Sequence, residues 1–565
     1  MTEFDLPRER KVGHLTLLRP PRTLTSREFN LLPFADRLAV VRGVSGRTKY
    51  QLLLDAHDGE RLVRCLPAQE IYLLIKELGL VEVTELLPLV DSEQLTTFLD
   101  LDCWRGDLFD GNVALEWLIV LAEAGEERIL QALEEIDFEL ITLIFQRLVT
   151  VVRAPEDLEE NDRLEASQRD GGYELDYPEA ETAKQVAALL DVLYRRDPEM
   201  FVRLLTAVRW EQGVMFEEEN YGRRNLRLQE LGFPDPDEAP RVYAWLDPAR
   251  FDPAECRRQG LAVIPDSDAP AFLLTPGIRG SLLAEVLAGG IDTETAWELT
   301  FLLNRVMTAD RVDVGSFDQV QEAIGEVYQT LNLALEHQCG SNVDKASRLF
   351  ADTYLQPLFR LGFSLLLELQ RRARQVKKSP IAPFLDGPFR ALVRALDQKR
   401  PRFYEGLENF TRAGERPFAT SRELRLAEEW LARLEAQQRL FQGQLPFELP
   451  APAELDLTGC TPDLVDDLAL SDFLLTALAN RLLGRSFLPT PLAAGDIAPL
   501  QAMVCQEGKI SPELRRETVN WLDSLEPGAG AFGDYCLDLW EEDFCPLAPA
   551  QIDPRFISGM IIRLG

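Results

Sequence analysis

Apolar residues in this chain recur at intervals of three and four, not two. Leu282, Leu283, Val286 and Leu287 form one such group, and Leu299, Leu302, Leu303 and Val306 another. A helix turns once in 3.6 residues, so this spacing lines apolar side chains along one stripe. Glu, Leu, Ala, Arg and Gln dominate the same segments, and all favour helix. Apolar runs of strand length are few. The best, Leu38–Val44 and Leu261–Ile264, do not alternate cleanly. The pattern predicts an all-α fold.

Helix starts are punctuated. Asp197-Pro198, Asp235-Pro236, Asp247-Pro248, Asp252-Pro253, Thr461-Pro462, Ser511-Pro512 and Asp553-Pro554 each place a capping side chain before a proline. The cap oxygen satisfies an orphan N–H, and proline has no N–H to leave unsatisfied.

A weak repeat runs through the first third. Helix-opening segments begin at Pro67, Asp91, Asn112 and Asp137, each with an acidic or amide group close behind and then an apolar run. Asp91, Glu93, Leu95, Phe98, Leu99 and Trp104 match Asp197, Glu199, Phe201, Leu204, Leu205 and Trp210 at a constant offset. Two helices per repeat is the signature of stacked pairs, none of which buries its apolar face alone. The expected architecture is therefore a stacked helix-pair repeat array, followed by helical blocks with proline-rich linkers.

The segments LPAQEIYLLIKELG, ELLPLVDSEQLTTFLDLDCW and EERILQALEEIDFELI carry a resemblance. Over nearly its whole length the chain resembles an uncharacterised, mostly helical bacterial family known only as a domain of unknown function. Over about residues 50–150 its repeats are similar to the intracellular N-domain of magnesium transporters. The transporter's membrane domain and nucleotide-binding-like modules have no counterpart in the sequence. The resemblance thus implies a helical fold, implies no ion transport, and brings no activity with it.

Composition shifts suggest the organisation. Residues 1–50 form an N-terminal extension with the first helices, and 51–152 the repeat domain. An acidic, apolar-poor mobile loop covers 153–180, and the repeats continue over 181–232. Eight prolines mark a connector over 233–278. A helical block spans 279–378, with Pro357 expected to kink or split its last helix. A basic, proline-dotted segment fills 379–455, and a C-terminal helical block 456–565.

The 565 residues carry a formal charge of -34, which disfavours nucleic acid and anionic membrane as general partners. No run of about 18 apolar residues suggests membrane insertion. The N-terminus lacks an apolar signal core, and the eight cysteines show no CxxC. A cytoplasmic chain with reduced core thiols is expected.

Candidate chemistry concentrates in EEENYGRRNLRLQELGF, residues 217–233. Tyr221, Leu228 and Leu231 share a helical stripe with Arg224 and Asn225, and polar groups on a buried stripe need partners. Glu218, Tyr221, Arg223, Arg224, Asn225 and Arg227 are the candidate ligand-binding set. The competing expectation is a structural network reaching a neighbouring helix or the acidic loop.

Residues 371–425 hold fourteen Lys and Arg against six Asp and Glu. Arg390, Arg394, Lys399, Arg400 and Arg402 form the candidate basic patch, facing a phosphate-rich or acidic partner or the chain's own acidic surface. The segment Asp100–Asp110 invites a divalent cation but departs from the calcium-loop pattern, so Asp100 and Asp102 are expected to cap the next helix or lie solvated. GAGAFG, Gly528–Gly533, matches a dinucleotide fingerprint but follows a predicted helix rather than a strand, which favours a turn. His14, His57 and His337 neighbour no nucleophile pattern, and a lone histidine in a helical core is more often structural than catalytic.

No metal or cofactor is expected. These features favour a non-catalytic scaffold or adaptor binding a protein partner along a helical surface. The alternatives are an enzyme with an interdomain anion site at the 218–227 cluster, and a sensor of a divalent cation or phosphorylated ligand.

Overall fold

The computed structural model describes residues 23–154, 173–210, 213–260, 268–271, 280–409, 412–547 and 553–564, with strand backbone at 3–5, 9–12 and 15–18. Within these residues the fold is mainly α-helical, and no strand exceeds four residues. His14, Leu261–Ile264 and the acidic stretch 155–172 lie outside them.

The chain divides into two compact units. The first gathers Met1–Ala244, Asp252–Leu331 and Cys339–Phe359; the second gathers Trp245–Phe251, Asn332–Gln338 and Arg360–Gly565.

In the first unit, α1 (Ala68–Leu78) packs on α2 (Ser92–Asp102), and α3 (Gly111–Glu123) on α4 (Phe138–Leu148). Next come α5 (Ala183–Arg196), α6 (Pro198–Trp210) and α7 (Gly213–Glu230). Helix α6 packs on α4 and α5, while α7 packs on α4 and α2.

Local chemistry opens these helices as expected. Asp91 Oδ1 accepts from Gln94 N at 2.8 Å, Asp137 from Glu139 N at 3.3 Å, and Asp197 from Met200 N at 3.0 Å. The core beneath is aromatic. The Tyr72, Phe98 and Trp117 rings lie 5.5–6.4 Å apart, all fully buried.

Helix α8 runs from Leu355 to Lys377, and its residues from Arg360 onward belong to the second unit. It is followed by α9 (Gly387–Leu396), α10 (Ser421–Arg439), α11 (Leu470–Leu482), α12 (Pro512–Leu525) and α13 (Gly530–Leu539). Helix α13 is central, packing on α10, α11 and α12. Phe384 and Phe473 meet edge-on at 5.1 Å within this core.

Several expectations are corrected. Leu38–Val44 is not extended: Phe34–Arg42 is helix, burying Val40 and Val41, because packing overrides β-branched preference. Pro357 neither kinks nor splits its helix. It is the third residue of α8, where an N–H has no intrahelical partner anyway. Thr461-Pro462 opens no helix; the bond is cis and Cys460–Thr461 is a strand paired with Ile562–Arg563. The described ends of the acidic loop, Thr150–Arg153 and Glu174–Asp176, pair as antiparallel strands.

Not all cysteines are free. Cys505 and Cys545 form a disulfide with Cα atoms 5.6 Å apart. The hairpin carrying Cys505 meets the turn after α13, where Ile510 N donates to Glu541 at 3.1 Å.

Candidate functional site

The charge-rich helix α7 and the Asp100–Asp110 segment, separate in sequence, meet in the first unit. Arg227 Nε and Nη2 donate to the two oxygens of Asp100 at 2.7 and 2.8 Å, a bidentate fork. Arg224 Nε donates to the Asp100 carbonyl at 2.7 Å, and its Nη1 to Asn225 Oδ1 at 3.2 Å. Its guanidinium lies 5.6 Å from the Trp104 ring and 5.8 Å from that of Tyr221. Tyr221 itself rests on Trp104 at 5.6 Å. Arg223 reaches Glu139 at 3.1 Å and Asp137 at 3.5 Å. Glu218 is exposed.

Asp100 and Asp102 neither cap a helix nor lie solvated. They are 1% and 2% exposed. They end the stripe of α2, and each meets cations or donors of the chain itself. Asp102 accepts from Lys76 Nζ at 2.7 Å, Trp117 Nε1 at 2.8 Å and the Tyr72 hydroxyl at 3.1 Å. Gly315 closes over it: a Cβ there would stand 2.8 Å from Asp102 Oδ1.

Charge follows from this packing. Burial pushes the Asp100 carboxyl up, and the Arg227 fork opposes it. Burial pulls Arg227 down, but Asp100 more than offsets this and leaves it raised. Burial lowers Arg224, whose main contact is a carbonyl rather than a carboxylate. Burial, then contact with Glu139, raises Asp137. A hydrogen bond with Asp137, helped by Arg223, draws Glu139 down to about 2. The set is a clamp joining α7 to α2 and α4.

The predicted basic patch begins on α9 and continues past its end. Arg394 pairs with Glu415 at 2.8 Å, and Arg390 Nη2 donates to the Pro383 carbonyl at 3.4 Å. Lys399 is exposed, and Arg400 and Arg402 are half-buried. Nearby, Arg374 and Lys377 hold Asp397, and Arg372 holds Glu435. This part of the basic island is answered by the chain's own carboxylates.

A second buried carboxylate pair, which sequence reasoning missed, lies in the second unit. Asp386 precedes α9 and Asp472 lies in the first turn of α11; they are 4% and 6% exposed. The Ser471 hydroxyl donates to Asp386 Oδ1, while Oδ2 has no hydrogen-bond partner. Asp472 accepts from Ala469 N at 2.7 Å. Burial pushes Asp386 up to about 6, with Ser471 opposing, and Asp472 up to about 7.

GAGAFG is the turn into α13, preceded by α12. Asp523 Oδ1 accepts from Gly528 N at 3.1 Å and Gly530 N at 2.8 Å. The chain's own carboxylate thus takes the amides a phosphate would need. His57 and His337 are exposed, not core residues. Among the described residues no group of three His, Cys, Asp or Glu is placed to hold a metal ion. Among them, too, no helix is long and apolar enough to cross a membrane.

The chain belongs to a family of unknown function, DUF6178, whose pattern it matches over residues 26–563. No curated protein and no solved structure matches it.

Proposed function

We propose that the chain is a non-catalytic helical scaffold that binds a protein partner on the face formed by α6 and the start of α7. The observation that carries this reading is an apolar surface. Trp210 is 67% exposed, Val214 82% and Met215 61%, with Val202 and Leu226 also exposed on the same two helices. Beside them a cavity of about 230 Å³ is lined by Val149, Val151, Val208 and Gly213, with Arg147 and Arg209 at its edge. Large apolar side chains clustered around a small cleft are the usual form of a protein-docking anchor.

The clamp beneath supports this. Arg223, Arg224 and Arg227 tie α7 down from its other side, so the exposed face is held rigid. Their donors serve internal carboxylates and a carbonyl, which favours a structural role over substrate binding. The similarity to magnesium-transporter N-domains enters this reading only as helix spacing, and a bacterial, cytoplasmic setting is part of the same proposal.

A photo-crosslinking phenylalanine analogue at position 210 tests it. In cells it should trap a discrete protein, while the same analogue at position 488 in the second unit should not. Val214→Glu with Met215→Glu should abolish the adduct without lowering the melting temperature. The same crosslink pattern from both positions would overturn the reading.

A further inference from the structure

The second unit holds an open cleft of about 540 Å³ that the scaffold reading does not use. Leu367, Arg371, Arg374 and Lys378 line it at spacings of four, three and four, on or just past one face of α8. Gln370 and Gln375 sit between them, and Trp245, distant in sequence, also lines the cleft.

Cations at a helix C-terminus ordinarily answer the helix dipole. That accounts for Arg374 and Lys377, which also share Asp397 at 2.7 and 2.5 Å. It does not account for Arg371 and Lys378. Both are exposed, and neither forms an ion pair among the described residues, in a chain of net charge -34.

Nor does it account for Trp245, 46% exposed although its backbone is fixed. Arg360 Nη2 donates to the Trp245 carbonyl at 3.1 Å, and Leu246 N donates to Ser364 Oγ at 2.9 Å. The backbone at Trp245 is thus held against the helix that presents the cations.

We infer that this cleft binds a nucleotide carrying at least two phosphates, with its base against Trp245 and its phosphates along Arg371 and Lys378. The indole face suits a planar heterocycle, and a guanidinium fork suits phosphate oxygens. Residues 371 and 378 stand about 10 Å apart along the helix, which matches a phosphate chain better than one phosphate. The cleft volume falls within the usual range for small-molecule sites.

Isothermal titration of the full chain with ADP, pyrophosphate and adenosine, without added metal, tests the inference. ADP should bind saturably and more tightly than either fragment. Arg371→Gln with Lys378→Gln should weaken both ADP and pyrophosphate by about tenfold or more, the loss of charge-assisted hydrogen bonds. Trp245→Leu should weaken ADP by about fivefold and leave pyrophosphate unchanged, with Trp245→Tyr restoring ADP binding. All three side chains are exposed, so circular dichroism should match the parent chain. No saturable binding of ADP, or a double variant that binds ADP as the parent does, would overturn the proposal. So would a Trp245→Leu variant that loses pyrophosphate as strongly as ADP.

Discussion

Each unit buries two carboxylates close in space or sequence, and the two pairs are solved in opposite ways. Asp100 and Asp102 in the first unit are met by Arg227, Lys76 and the donors of Trp117 and Tyr72. Asp386 and Asp472 in the second have only a hydroxyl and backbone amides, and one oxygen of Asp386 has nothing. Equal burial therefore gives different chemistry. In the first pair the Arg227 fork opposes the upward push of burial on Asp100, whereas the second pair holds protons to about pH 6 and about pH 7. A buried acid reports less about burial than about whether a cation was buried with it.

The largest effect is expected where the matching is broken. Asp102→Ala strands Lys76 and two neutral donors, and should cost about 3–5 kcal/mol in urea unfolding. A neutral outcome would erase the contrast between the pairs.

Next comes the unmatched pair. The unfolded chain releases these protons near pH 4, whereas the folded chain keeps them to about 6 and about 7. The folded state binds more protons in that window. The stabilisation is complete below pH 4 and is lost as pH rises through 7. Asp472→Asn keeps an acceptor for Ala469 N and removes the charge. It should stabilise by about 1–3 kcal/mol at pH 8 and change little at pH 4. Equal effects at both pH values would show that Asp472 is not the group losing its proton.

A smaller loss, about 1–2 kcal/mol, is expected for Ser471→Ala, which removes the donor to Asp386. It should also raise the Asp386 pKa further, readable by carboxyl-carbon NMR. The least effect belongs to Glu139→Gln, which loosens the partly exposed contact with Arg223. About 0.5 kcal/mol or less is expected, shrinking with added salt. A larger value would place Glu139 inside the clamp rather than on its rim.

What could be read from the sequence was what the chain decides locally. Asp91, Asp137 and Asp197 cap helices because the cap and its partner lie within three residues. The polar residues on the stripe of 217–233 pointed correctly to a network. Its partner, Asp100, was missed, but for the neighbouring buried acid a signal existed. Asp102 falls seven residues after Leu95 and four after Phe98, on the apolar stripe of α2, where a carboxylate cannot stay without a donor. Which cation answers which acid is not encoded in spacing, because it is settled by packing over more than a hundred residues. Asp386-Gly-Pro carried an ordinary helix-start pattern that went unread, and nothing local distinguishes Asp472 from a solvated capping acid. The Cys505–Cys545 link was likewise invisible, since forty residues of helix and turn set its geometry.

The Arg227 fork has a consequence for how the chain is made. Its acceptor, Asp100, precedes it by 127 residues. During synthesis α2 leaves the ribosome on the order of ten seconds before its countercharge does. Until then, collapse of the nascent helices would trap an unanswered acid, which opposes early closure. Nascent chains halted before Arg227 should therefore remain protease-sensitive around α2, and those extended past Glu230 should become resistant, so that the clamp times the order of assembly as well as fixing its end point.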